Sequence, residues 1–271
     1  MIIDSHLHLS IMNKEENFDD VKKKLILEMN KNSIDYCIVI PDNVSGTNCA
    51  DMSKAYKIIS NDNRFFMMAT LRIEEVKNRT KKIENLFKKG KVVGFKIFPG
   101  HDPIYPTDKR WYPIYSLCEK YNIPLVIHTG INSNNSDVAK YNDPKHAVEI
   151  AKKYKNLKIV IAHYFWPNLD YCYKVTDKIN NIYFDTSAMA DQEIIEKSGG
   201  INKIKKILLK TIKRNPKNVV FGTDWPITKI SDHIYLINSL PISKIEKNNI
   251  FYKNSMELYH LDIFPPLIFA K

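Results

Sequence analysis

Short apolar and β-branched runs alternate with longer stretches of helical periodicity along the whole chain. The runs are MIIDSH at the start, then IDYCIVI (34–40), FFMMAT (65–70), VVGFKIF (92–98), PLVIHT (124–129), LKIVIAH (157–163), NIYFDT (181–186) and NVVFGTD (218–224). Between them, residues 18–31, 50–61, 74–89, 111–121, 144–154, 167–179 and 191–214 read as helices, and 232–260 as one or two more. Near-continuous apolar runs belong to strands covered on both faces, as in a parallel sheet. Hairpins would have left Asn-Gly or Asp-Gly pairs between them, and there are none.

Eight β-then-α units predict a (β/α)8 TIM barrel, with room for slight distortion, formed by residues 1–271 as one domain. An open doubly wound sheet typically has fewer strands and often a glycine-rich first turn, whereas the first turn here, HLHLSIMNKEE, has no glycine. The long, proline-rich and aromatic PGHDPIYPTDKRWYP after the fourth run would overhang the mouth of such a barrel. The irregular tail SLPISKIEKNNIFYKNSMELYHLDIFPP forms a C-terminal helical segment whose last helix is expected to cover the seam where the barrel shuts.

Composition narrows the class. With 44% hydrophobic and 26% charged residues the chain reads as a folded globular protein. No stretch approaches the roughly 18 apolar residues of a membrane span, and Asp4 and His6 stand where a signal peptide needs a hydrophobic run, so no membrane and a cytoplasmic location are expected. Cys37, Cys49, Cys118 and Cys172 have no CxxC spacing and read as free thiols. The net charge of +11 raises nucleic acid as a partner, but the lysines recur in VKKKLILEMNKN, RTKKIENLFKKGK and INKIKKILLKTIKRN, interleaved with apolar stripes as on solvated helix faces. A small-molecule substrate is expected instead, with a homodimer as the assembly.

The ends of the runs carry the chemistry. His6 and His8 lie two apart, hence on one face of a strand. The other runs finish in Lys96, His128, His163, Asp185 and Asp224. In a barrel all C-terminal strand ends meet at one mouth. Core packing does not explain buried imidazoles there, because each needs a polar partner; a metal centre does. His101, His146, His233 and His260 fall in loops or helices and read as surface or capping residues.

The motifs DSHLH, GFKIFPG, IPLVIHTG, VIAHY, VVFGTDWP and the weaker closing IFYKNSMELYHL together resemble the metal-dependent amidohydrolase superfamily. The likeness is to the TIM-barrel branch that includes aminocarboxymuconate-semialdehyde decarboxylase and related hydrolases. It implies that His6, His8, His128 and Asp224 surround one divalent ion, Zn2+ or else Mn2+, Fe2+ or Co2+, with His163 beside it as a catalytic or further coordinating group. Two departures stand out: HYFWPNLD follows the strand 6 histidine where relatives commonly have a glycine-containing turn, and YKN replaces the usual glycine-asparagine of the closing segment.

Physical chemistry assigns roles to match. The ion activates a water, and Asp224 orients it and carries its proton. The bland alternative, Asp224 as a turn residue in TDWP, leaves the histidines unexplained. Lys96 is the third catalytic candidate. An ammonium beside a cation is unfavourable, so it either stands off to hold an anionic substrate, the favoured option, or loses its charge by carboxylation. Arg72, Arg110 and Trp166 are the substrate-binding candidates, since a guanidinium and aromatic walls suit a flat, carboxylated molecule, with Arg72 as the best anion clamp. The leading expectation is a hydrolase of an amide, lactone or ester carbonyl. Non-oxidative decarboxylation of an aromatic or unsaturated acid is the alternative, and a metal-stabilised binding protein without catalysis is the alternative of another class.

Overall fold

The computed structural model describes residues 1–44, 46–130 and 136–263. Eight parallel strands follow one another around a sheet in chain order: β1 (Ile3–Leu7), β2 (Tyr36–Val39), β3 (Phe65–Thr70), β4 (Gly94–Ile97), β5 (Leu125–Ile127), β6 (Ile159–Ile161), β7 (Ile182–Asp185) and β8 (Val219–Val220). The segment after β8 closes the ring onto β1. Ser5 N donates to Phe221 O (2.9 Å), His8 N donates to Trp225 O (2.8 Å), and the amides of Thr223 and Asp224 share the carbonyl of His6 (3.2 and 2.8 Å). The result is a (β/α)8 barrel, slightly irregular at its seam.

The helices on the outside are α1 (Phe18–Asn32), α2 (Met52–Ile59), α3 (Ile73–Lys88), α4 (Tyr112–Lys120), α5 (Pro144–Lys153), α6 (Leu169–Val175), α7 (Gln192–Lys197), α8 (Ile201–Arg214), α9 (Ile230–Asn238), α10 (Lys244–Asn248) and α11 (Asn254–Tyr259). The single helix expected over 191–214 is two, because Gly199 and Gly200 take φ of 91° and 96°, which α-helix excludes. Helix α8 buries Ile204, Ile207, Leu208 and Ile212 and exposes Lys206, Lys210 and Lys213, so its lysines are a solvated face. No described helix is long and apolar enough to cross a membrane.

Side chains separate into two apolar layers. Ile3, Ile38, Met68, Val126, Val160 and Val220 cluster with Leu258 and Tyr259 of α11, while Leu7, Leu9, Cys37, Val39, Phe95 and Ile127 pack with the helices. Strict alternation would put Ile3 and Leu7 in the same layer, yet they lie in different ones. The cause is a register irregularity between Asp4 and Leu7, which reverses the facing of β1 and turns His6 and His8 toward the interior. At the seam, Asn254 Nδ2 donates to the carbonyls of Pro216 and Val219, each at 2.8 Å, and Ile250 O accepts from Phe221 N at 3.0 Å. The closing segment thus covers the seam as expected; residues 264–266 of that tail lie outside the described residues.

Candidate metal centre

The imidazoles at the mouth are fixed through one nitrogen each. His6, fully buried at the end of β1, has Nδ1 2.7 Å from Asp185 Oδ2, and His8 has Nδ1 2.9 Å from the carbonyl of Ile40. A carboxylate and a carbonyl only accept, so both Nδ1 atoms carry the proton and both Nε2 atoms present a lone pair. These lone pairs converge: His6 Nε2 is 3.6 Å, and His8 Nε2 3.4 Å, from Asp224 Oδ1. Among the described residues, one ligand atom each from His6, His163 and Asp224 all lie within 4.8 Å of one another. His8 stands beside this trio, and the His128 ring lies 4.9 Å from that of His163.

Two backbone distortions aim these groups. Asp224 has φ 73°, and His163, Tyr164 and Phe165 run consecutively at φ 63°, 52° and 54°. The left-handed region disfavours such residues by about 1–3 kcal/mol each, so the surroundings must impose it. Asp185 Oδ1 accepts from His163 N (3.3 Å), and Thr129 Oγ1 accepts from Phe165 N (2.8 Å) while donating to Ala162 O (2.5 Å). HYFWP therefore makes without glycine the tight turn that glycine usually makes.

The electrostatics suit a cation. Burial, reinforced by the charge of Lys96, pushes the His6 pKa down to about 3 against the pull of Asp185, so this imidazole is neutral near pH 7. Burial likewise pushes His163 and His128 down. Burial alone would raise Asp224, but the imidazoles of His163, His8 and His6 gathered around it outweigh burial and hold the carboxyl well below the usual range. Asp185 behaves in the same way, against His6 first. Neutral imidazole nitrogens beside an ionised carboxylate are the donor set of a zinc, manganese or iron site.

Lys96 is completely buried, with Nζ 3.5 Å from His6 Nε2. Desolvation pulls its pKa down to about 8, opposed by Asp185, Asp224 and Asp42. Arg72 reaches the carbonyl of Asn43 through Nε (2.7 Å) and lies 3.9 Å from Glu74 at the rim. Arg110 is exposed and bound to Asp108 at 2.7 Å. Trp166 packs over Gly130, where a Cβ would meet its Nε1 at 2.8 Å.

Asp185 stands out in the sequence only as a polar strand end without a role, and Ser187, Thr129 and Asp42 are not singled out there. Asp185, Ser187 and Thr129 orient the imidazoles, and buried Asp42 follows β2. A polar residue at the end of a strand was the available signal for Asp185. His101 is exposed in a loop, as expected, but its ring also meets that of His128 at 4.6 Å. His233 is buried in α9, with Nδ1 2.9 Å from Lys229 O and Nε2 accepting from Ala190 N, so it pins a helix from inside.

Eight parallel strands with imidazoles and carboxylates gathered at their C-terminal ends define a metal-dependent TIM-barrel enzyme. The chain belongs to the amidohydrolase family, whose model matches residues 44–261. It is similar in fold to an uncharacterised TIM-barrel protein from Bordetella bronchiseptica (TM-score 0.76, 18% identity, covering 95% of this chain and 97% of that one). A probable 2-pyrone-4,6-dicarboxylic acid hydrolase from Acinetobacter baumannii has TM-score 0.70 and 16% identity, covering 96% and 99%. A dihydroxybenzoic acid decarboxylase from Polaromonas sp. JS666, with bound manganese and 2-nitroresorcinol, has TM-score 0.70 and 14% identity, covering 99% of each chain. No curated protein matches the chain.

Proposed function

We propose that the protein is a metal-dependent, non-oxidative decarboxylase of a small aromatic or unsaturated carboxylic acid. The observation that carries this reading is Lys96, a buried cation 3.5 Å from His6 Nε2 at the centre of the barrel mouth. An ammonium so placed faces the ion that His6 would hold as well as any second one, so it is stabilised by an anionic group of the substrate lying between them. Decarboxylases of dihydroxybenzoates and of 5-carboxyvanillate recur among the similar folds, which supports the same choice.

His6, His8, His128 and Asp224 would hold one ion, of zinc or, as in the similar decarboxylase, manganese. When bound, it supplies fixed positive charge that draws in and orients the substrate's oxygens. Lys96 holds the anionic group, Trp166 forms an aromatic wall and Arg72 stands at the rim. Asp224, anionic at rest, first takes a proton from solvent and then delivers it to the carbon bearing the carboxylate. The bond to the carboxylate carbon then breaks, its electron pair returns to the unsaturated system, and carbon dioxide leaves. His163 is the second candidate for the proton transfer. The four free thiols fit a reducing compartment such as the cytoplasm.

Hydrolysis of a lactone, amide or ester is the second reading, supported by the similar probable hydrolase. A panel of aromatic acids and lactones, offered to zinc- and manganese-loaded protein, separates the two. Carbon dioxide release matched to substrate loss is expected; ring opening of a lactone with acid production and no carbon dioxide would overturn it.

A further inference from the structure

We infer that Ser187 is a positioning residue which, with Asp185, fixes the proton of His163 on Nδ1 and leaves Nε2 as the nitrogen offered to the reacting group. This rests on the proposed function only in giving His163 a role at the reaction; the placement of the proton stands on the geometry alone.

Ser187 lies two residues beyond the end of β7, wholly buried. Its amide donates to Asp185 Oδ1 at 3.2 Å, and its hydroxyl donates to the same oxygen in a short contact. A serine hydroxyl has one proton. With that proton turned to Asp185, Oγ faces His163 Nδ1 at 2.9 Å as an acceptor. The same Nδ1 has the Ser187 carbonyl at 3.4 Å and Asp224 Oδ2 at 4.0 Å. A carbonyl only accepts, so both Ser187 oxygens within hydrogen-bond reach of Nδ1 call for a proton there. A neutral imidazole has only one, and Nε2 therefore keeps its lone pair.

Asp185 cannot reverse this arrangement. Its other oxygen already accepts from His6 Nδ1 at 2.7 Å. One carboxylate thus sets two tautomers: Oδ2 acts on His6 directly, and Oδ1 acts on His163 through the Ser187 hydroxyl. The same Oδ1 accepts from His163 N at 3.3 Å and so also anchors the left-handed turn that carries the ring. With Nδ1 committed in this way, His163 serves the site only through Nε2.

The test uses the full chain, loaded with diamagnetic zinc and labelled with 15N-histidine. Long-range proton–nitrogen spectra identify His163 by comparison with His163→Gln. The expected result is a protonated Nδ1 and an unprotonated Nε2 in the wild type. Ser187→Ala should shift the population toward the Nε2-protonated form and lower turnover about 10–100-fold, the usual range for loss of a partner behind a site histidine. Ser187→Thr, which keeps the hydroxyl, should restore both. An Nε2-protonated His163 in the wild type would overturn the inference, as would a wild-type tautomer in Ser187→Ala. Should Ser187→Ala not fold, the wild-type spectrum decides alone. If no acid releases carbon dioxide while the tautomer still follows Ser187, the reaction reading fails and the inference stands.

Discussion

Gly222→Ala should loosen the centre without replacing any ligand. A Cβ at this position would lie 2.8 Å from His6 Cβ, 3.4 Å from His6 N and 3.6 Å from Asp185 Cβ. Carbon atoms pack at about 3.5–4.0 Å, so the gap must open by roughly 0.7 Å or more. The obstacle is the backbone-anchored root of His6, which cannot swing aside, because the amides of Thr223 and Asp224 hold its carbonyl. Such overpacking costs about 1–3 kcal/mol. Gly222 is not in the left-handed region, so alanine also recovers about 0.4–1 kcal/mol by restricting the unfolded chain. The net loss is about 1–2 kcal/mol, and at about 2–4 °C per kcal/mol the melting temperature should fall by roughly 2–8 °C. A functional site tolerates displacements of only about 0.5 Å, and metal affinity should weaken about 10–100-fold. Calorimetry on the chelator-treated protein and competition with a chromogenic chelator measure the two effects. A variant with wild-type melting temperature and wild-type metal affinity would refute the reasoning.

Lys96→Met should raise KM for a carboxylate substrate at least tenfold while leaving metal content intact; equal effects on a charged and an uncharged substrate would remove Lys96 from anion binding. His233 is held neutral by burial, so it binds fewer protons folded than unfolded. Its contribution is complete above about pH 6.5 and is lost as pH falls through that value toward the lower folded pKa, at up to about 1.4 kcal/mol per pH unit. Melting temperatures at pH 7.5 and 5.5 should consequently drop less in His233→Gln than in the wild type, and equal drops would contradict this. Asn254→Ala removes two buried hydrogen bonds to the carbonyls of Pro216 and Val219 and should cost about 2–3 kcal/mol in urea unfolding; an unchanged midpoint would show that the seam does not depend on it.

The barrel was legible because most of its strands are apolar runs that turn polar toward their C-terminal ends, a pattern that PLVIHT, IVIAH and VVFGTD display without help from partners. What escaped was set by contacts across the chain. The register irregularity in β1 follows from pairing with β2, and the left-handed turn at His163–Phe165 is held by Thr129 and Asp185, which no local propensity of His-Tyr-Phe announces. Asp185 was visible as a polar strand end, but its partner His6 lies 179 positions away. His233 looked like a helix-surface residue because the neighbour that buries it, the segment at Ala190, precedes it by 43 positions. The break at Gly199-Gly200 was written in the sequence and reads clearly once both residues are seen with φ near +90°.

The central claim is that β1 and β5 bring His8 and His128 to one ion, with His163 beside it and not bound through Nδ1. Metal content measured on purified His8→Ala, His128→Ala, His163→Ala and His146→Ala tests it directly. His146, half-buried with Nε2 3.0 Å from Lys140 O, is the control. The account predicts near-empty His8→Ala and His128→Ala, a mostly occupied but inactive His163→Ala, and a wild-type His146→Ala. Full occupancy in the His8 and His128 variants, with an empty His163 variant, would instead make the trio of His6, His163 and Asp224 the ligand set and contradict the account.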